Sequence, residues 1–223
     1  MITAVKKTAA IMTMTVVTLT ATIPSTTSTT VLASSGYSGK IYKHWCRMRT
    51  SKSKQAKTIK KLKVGTKVTV LSTSGNWRKI RVAGKTGYAL KKYVYISTKA
   101  PKLKGSTYNK GKTVASYAKR FVGNPYVWGG TNLNTGADCS GFVKSVYKEF
   151  GYSLPRSSSS QRGAGRRVSY GKKQPGDIIC YNGHVAIYIG QGKIVHASSR
   201  KTGIKISPRA NYRKVLSVRR IVK

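Results

Sequence analysis

The sequence predicts an α+β protein: a small β-barrel first, then a domain whose N-terminal helices pack on an antiparallel sheet. Three observations carry that prediction. Short alternating segments punctuated by turn residues fill residues 37–97. Two stretches, near 114–122 and 142–150, repeat apolar residues at the 3.6-residue spacing of amphipathic helices. Strand-like segments then run to the end of the chain. Helices followed by strands, rather than alternating with them, make an α+β arrangement.

Charge and the N-terminus narrow the function. The chain has 223 residues, with 44 Lys plus Arg against three Asp plus Glu, a formal net charge of +41. Such a surface repels copies of itself, which predicts a monomer, and attracts polyanions. Nucleic acid, anionic lipid and anionic wall polymers all qualify on charge alone. Lys6 and Lys7 precede a Thr-, Ala- and Val-rich run over 9–23, and Val31-Leu32-Ala33 offers a small-residue cleavage site. The pattern predicts a secretory signal peptide over residues 1–33. As a membrane anchor the run is too short, too rich in threonine and followed by Pro24. No cysteine sits where a lipoprotein signal needs one. Export favours a wall polymer as partner over nucleic acid and leaves no stable membrane insertion after cleavage. Three cysteines, Cys46, Cys139 and Cys180, are too few for a disulfide framework.

Residues 34–98 are the expected barrel. Lys67-Val68-Thr69-Val70-Leu71 alternates, Ser74-Gly75-Asn76 is a turn, and residues 77–82 alternate again. Gly84-Lys85-Thr86-Gly87 then turns into a short strand at Tyr88. Cys46 takes the place of an apolar strand residue, Trp77 and Tyr88 read as core packing, and His44 has no recognisable partner. The stretch 99–112, rich in Lys, Gly, Ser and Pro, reads as a linker, and the second domain is expected over 113–223.

That domain opens on Val114, Tyr117, Ala118, Phe121 and Val122, a helical set ended by Gly123-Asn124-Pro125. The next helix starts at Cys139. Gly136 and Asp138 supply start signals, Phe142, Val143, Val146, Tyr147 and Phe150 the apolar face, and Gly151 the stop. A thiol in the first turn faces unpaired N–H groups and the positive end of the helix dipole, which favours thiolate. Its base must come from elsewhere. His184 and His196 lie in strand-like segments flanking Gly190-Gln191-Gly192. If those three residues form the loop, Ile189 pairs with Lys193, Ala186 falls opposite His196, and His184 is a diagonal neighbour on the same face. A two- or four-residue loop would put the histidines on opposite faces. Spacing therefore permits a base and its orienter side by side, with Cys139 the candidate nucleophile, though it does not place the thiol beside them. A zinc site from Cys139, Cys180, His184 and His196 is the competing reading, but no Cys-x-x-Cys or His-x-x-x-His spacing supports it. No metal or cofactor is expected, and Cys180 is assigned to packing.

Two resemblances rest on these motifs. Arg47-Met48-Arg49-Thr50, Val64-Gly65-Thr66, Asn76-Trp77 and Gly87-Tyr88 resemble a bacterial SH3 domain, which implies binding to wall peptide or polymer. Pro125-Tyr126-Val127-Trp128-Gly129-Gly130, Ala137-Asp138-Cys139-Ser140-Gly141-Phe142, Leu154-Pro155-Arg156-Ser157 and Pro175-Gly176-Asp177-Ile178 form the second set, with His184-Val185-Ala186-Ile187 and Ile194-Val195-His196-Ala197. In order and spacing they resemble the NlpC/P60 family of papain-like cysteine peptidases, from about residue 112 to the end. That family cuts peptidoglycan stem peptides, typically between γ-linked D-glutamate and the following diamino acid. The resemblance implies Cys139 as nucleophile, His184 as base and then acid, His196 as the residue holding its tautomer, and Tyr126 beside the oxyanion. It implies that Asp138 meets a substrate amine or N–H, although the same carboxylate suits a helix cap, and that Ser140, Arg156 and Ser158 bind substrate. Asp177 is expected in a turn and Glu149 on a solvated helix face. Relatives that require a free N-terminal L-alanine hold its ammonium with a carboxylate from the SH3 side. Residues 37–97 contain no Asp or Glu, so longer stem peptides remain open as substrates. Two other readings stand beside this one: an inactive polycationic wall-binding protein, and an amidase or acyltransferase on the same fold.

Overall fold

A computed structural model describes residues 36–223; the signal peptide expected over 1–33 lies outside them. The barrel is a seven-stranded antiparallel sheet built from β1 (Tyr37–Ile41), β2 (Cys46–Arg49), β3 (Thr58–Leu62), β4 (Lys67–Ser74), β5 (Trp77–Val82), β6 (Lys85–Leu90) and β7 (Val94–Ile96), in the order β3-β2-β6-β5-β4-β1-β7. Period-two alternation decides what each strand buries. Cys46 and Met48 point into the core, as do Val68 and Val70 on β4 and Ile80 and Val82 on β5. Cys46 is thus a packing residue, with burial pushing its thiol up to about 11. Trp77 and Tyr88 are half-buried.

Helix α1 (Thr107–Lys119) begins inside the stretch read as linker. Ser106 caps it, accepting a hydrogen bond from the Asn109 N–H. Its first turn, Thr107-Tyr108-Asn109-Lys110, buries no residue, so no apolar stripe announces it before Val114. Buried polar groups join the barrel to the helical domain. Arg78, 1% exposed, donates to the Val94 carbonyl and to Asn124 Oδ1, and Asn124 Nδ2 donates to the Leu133 carbonyl at 2.7 Å. Burial without a carboxylate lowers the Arg78 pKa to about 10. Asn134 mimics a strand partner for Ile96, accepting from its N–H at 2.9 Å and donating to its carbonyl at 2.8 Å. One apolar cluster runs through both cores.

After the short pair β8 (Thr131–Asn132) and β9 (Gly136–Ala137) come α2 (Cys139–Lys148) and α3 (Ser158–Gln161). The second sheet holds β10 (Arg166–Val168), β11 (Ile178–Tyr181), β12 (His184–Gly190), β13 (Lys193–Ser199), β14 (Gly203–Ser207) and β15 (Ser217–Arg220), in the order β10-β15-β11-β12-β13-β14. Phe142, Val143, Val146 and Tyr147 of α2 share a core with Cys180, Val185, Ile187 and Val195. The other face of the sheet carries a separate cluster around Ile179, Tyr181, Ala186 and Tyr188. Asp177, expected in a turn, accepts from the Gln174 N–H and is also locked to Arg220 by two 2.8 Å contacts. Glu149 is exposed.

The β12–β13 hairpin departs from the three-residue loop. Gly190 pairs with Lys193 across a two-residue turn, Gln191-Gly192, whose residues both have positive φ, 51° and 70°. The register shifts between Tyr188 and Gly190, so Ile189 is an extra, bulged residue. The bulge restores the parity that the shorter loop would have broken. Ile187 still pairs with Val195, which places Ala186 opposite His196 and His184 on the same face.

Candidate active site

Local sequence places the thiol. Asp138 is the N-cap of α2, with Oδ1 accepting from the Gly141 N–H at 2.7 Å, so Cys139 is the first helical residue. Gly141 lets the preceding loop close over this turn: a Cβ there would collide with the Gly130 carbonyl oxygen, which itself accepts from the Asp138 N–H at 3.1 Å. The thiol lies against the backbone N–H of Val185, the residue after His184.

The imidazoles form a chain. His184 Nε2 and His196 Nδ1 are 2.7 Å apart, the rings nearly perpendicular, and His196 Nε2 lies 2.9 Å from Ser207 Oγ. With His184 Nε2 engaged, Nδ1 is the nitrogen left to face a thiol. A lone pair on Nδ1 requires the proton on Nε2, donated to His196 Nδ1. His196 then carries its own proton on Nε2 and donates to Ser207 Oγ. Tyr212 stands edge-on to both rings, with centroids 6.5 Å from His184 and 5.7 Å from His196, and touches Tyr181 at 5.3 Å.

Electrostatics correct the thiolate expectation. Burial pushes the Cys139 thiol up, and the Asp138 carboxylate adds to the rise; the N–H groups of Val185, Ser140 and Cys139 itself pull the other way without prevailing. Cys139 is only 8% exposed, and the acidic cap offsets the positive helix end. Burial, with Arg213 adding, lowers His184 to about 4; burial and then His184, Lys205 and Arg213 lower His196 to about 3. At neutral pH the resting pair is thiol and neutral imidazole. Burial, then Cys139 and Asp138, raise the Tyr126 hydroxyl, keeping it a donor beside the thiol.

Asp138 is saturated. Oδ1 takes Gly141 N–H, Arg156 Nη1 at 3.0 Å and the Ser140 hydroxyl at 3.3 Å; Oδ2 takes Gly129 N–H at 2.9 Å and Arg156 Nη2 at 2.5 Å. Burial alone would raise this carboxyl, but Arg156 and the Gly141 and Gly129 N–H groups hold it below the ordinary range. Arg156 also donates to Ser140 Oγ at 2.9 Å, which leaves its Nε–H and one Nη2–H uncommitted among the described residues. Ser158 opens α3 half-buried, with no hydrogen bond to this group among the described residues. The structure therefore gathers Tyr126, Asp138, Ser140 and Arg156 around Cys139 and joins His184 to His196, with Val185, the neighbour of His184, as the link between the two groups. Cys180 faces away: it pairs with Val185, while His184 pairs with Tyr181 on the opposite face, so the four-ligand zinc alternative does not form.

Sequence reasoning missed Ser207, Tyr212 and Gln161. Gln161, fully buried, donates to the carbonyls of Ser140 and Pro155 at 3.0 and 2.9 Å and ties the Arg156 loop to α2. No spacing marks Ser207 or Gln161 out in a chain rich in serine. Tyr212 follows the last paired strand but one, where periodicity carries no signal.

Comparison with known proteins agrees with the order of the two domains. Residues 123–219 match the NlpC/P60 family and residues 46–95 the bacterial SH3 domain. A probable endopeptidase of Corynebacterium glutamicum is 40% identical over 95 residues, covering 41% of this chain and 45% of that protein. The bifunctional muramidase/DL-endopeptidase CwlT of Bacillus subtilis is 36% identical over 104 residues, 43% and 31% of the two chains. A γ-D-glutamyl-L-lysine dipeptidyl-peptidase of the same organism is 40% identical over 94 residues, 39% and 31%. The chain thus spans less than half the length of these relatives. Among solved structures, NlpC2 of Trichomonas vaginalis superposes with a TM-score of 0.50 at 23% identity, covering 83% of this chain and 72% of that one, a likeness of fold.

Proposed function

We propose that this chain, a bacterial SH3 domain followed by an NlpC/P60 domain, is a cysteine endopeptidase of peptidoglycan stem peptides, cutting the bond between γ-D-glutamate and the diamino acid. The hydrogen-bonded series His184–His196–Ser207, set beside a thiol at a helix start, carries the reading. Relatives named as DL-endopeptidase and γ-D-glutamyl-L-lysine dipeptidyl-peptidase support the choice of bond.

Cys139 Sγ attacks the scissile carbonyl carbon as its proton passes to His184 Nδ1, so the thiolate forms only during attack. The oxyanion is held by the Cys139 N–H at the helix start and by the Tyr126 hydroxyl. Collapse breaks the C–N bond, and His184 hands its proton to the departing amine. Water, deprotonated by His184, then cleaves the thioester and restores the thiol. Arg156, with its spare N–H donors, holds a stem-peptide carboxylate. Asp138, whose oxygens are fully engaged, fixes Arg156 and the helix rather than meeting a substrate amine. The basic surface attaches the exported enzyme to anionic polymers of the wall.

Muropeptide digestion with mass-spectrometric readout tests the reading. The wild type is expected to release a new diamino-acid amine, and Cys139→Ala to release none; cleavage by both proteins, by neither, or at another bond would overturn it. Ser207→Ala probes the end of the series. A hydrogen bond between neutral groups contributes about 1 kcal/mol, so kcat is expected to fall about fivefold with KM unchanged. Steady-state kinetics on a purified muropeptide measure both; an unchanged kcat would place Ser207 outside the mechanism.

A further inference from the structure

A groove of about 740 Å³ on the barrel has Trp45, Arg47, Arg49, Lys54, Lys61 and Lys92 in its lining. Five cations line it, and the whole barrel has no carboxylate to pair with them, since the three acids lie at Asp138, Glu149 and Asp177. Strand register makes the crowding specific. Arg47 on β2 sits directly opposite Lys61 on β3, and like charges in that relation destabilise a sheet. Arg49 is held in place by donating to the Ala56 carbonyl at 2.7 Å.

A second observation comes from the backbone. Lys43 and His44, between β1 and β2, both have left-handed φ, 57° and 51°. For residues with a Cβ this costs roughly 1–2 kcal/mol each. The turn they form delivers Trp45, which is 60% exposed, to the rim of the groove, with Lys63 Nζ 5.6 Å from its ring centroid. A strained turn, an exposed indole and an opposed Arg–Lys pair all weaken the free protein. A ligand with repeated negative charge would relieve the Arg–Lys repulsion, and its carbon skeleton would cover the indole that the turn holds out.

The geometry points to a binding site here for a chain polyanion: its charges, phosphodiester or carboxylate, lie on Arg47, Arg49, Lys54, Lys61 and Lys92, and its carbon skeleton between charges rests on Trp45. This localises to one groove the wall attachment that the proposed function assigns to the basic surface as a whole. It is separable from the peptidase reading, because binding does not involve Cys139.

Binding of poly(glycerol phosphate), polygalacturonate and neutral dextran to the full chain is measured by isothermal titration at fixed ionic strength. The wild type is expected to bind at least one of the two polyanions and not dextran. The polyanion bound names the source, phosphodiester or carboxylate. Arg47→Gln/Lys61→Gln is expected to weaken binding at least tenfold and Trp45→Ala at least threefold. The control Arg81→Gln/Lys85→Gln removes equal charge from exposed positions outside the groove and is expected to stay within about twofold. Lys61→Gln alone is expected to raise the melting temperature by relieving the opposed pair. Equal losses in the groove and control variants mean diffuse attraction and overturn the site, as do binding of neither polyanion and a lower melting temperature for Lys61→Gln.

Discussion

His184→Ala is expected to lower kcat/KM on a stem-peptide substrate by about 10⁵-fold, and His196→Ala by about 10⁴-fold. The first loss follows from the neutral thiol: buried and pushed upward, Cys139 has no thiolate of its own to fall back on, so without a proton acceptor attack nearly stops. The second follows from the tautomer. Without His196 Nδ1 at 2.7 Å, nothing holds the His184 proton on Nε2, and the lone pair is free to turn away from the sulfur. Groups acting in series fail together, so the double substitution is expected to be no worse than His184→Ala alone. Kinetics on one purified muropeptide, with circular dichroism to establish that each variant is folded, give the comparison. Multiplicative losses in the double variant, or near-normal turnover by His196→Ala, would break the series.

How much of this was legible in sequence depends on whether a signal is local. The cap Asp138, the apolar face of α2 and the stop at Gly151 lie within a dozen or so residues of one another, and the helix forms where they indicate. That His184 and His196 share a face was legible by parity, yet the loop length behind it was not. The inserted Ile189 leaves no trace in composition, and Gln191 adopts φ 51° without being glycine. Likewise the charge state of Cys139 could not be read from its place in the helix. The dipole argument is local, whereas desolvation is imposed by the surrounding fold. The same holds for Asp138 and Arg156: each looked available until the structure placed one in the other's grip. Ser207, eleven residues from His196 on a neighbouring strand, belongs to the site only through sheet pairing.

Acid is expected to unfold this protein through its histidines rather than its carboxylates. Most domains lose stability at low pH as many paired Asp and Glu protonate. This chain has three acids in all, and Asp138 is held low by Arg156 and backbone N–H groups, so its contribution persists until pH falls below the ordinary carboxylate range. His184 and His196 titrate at about 4 and about 3 when folded, against about 6.5 unfolded. A folded value below the unfolded one means that the unfolded chain binds more protons through that interval. Stability is therefore whole above about pH 6.5 and falls as pH drops toward 4, by roughly 3 kcal/mol for His184 alone. Lys205 and Arg213 face the pair as cations, and Tyr181, Tyr212 and Cys139, all pushed upward by burial, stay neutral, so nothing else nearby masks the effect. Melting curves from pH 7.5 to 4.5 are expected to slope downward in the wild type and to flatten in His184→Gln/His196→Gln. The same low value keeps His184 a base in mild acid, so the acid limb of kcat/KM is expected near pH 4, and Arg213→Gln is expected to move it upward. Parallel melting slopes, or an acid limb at the ordinary imidazole value in the wild type, would mean that water reaches these rings and that the proton relay is not sealed.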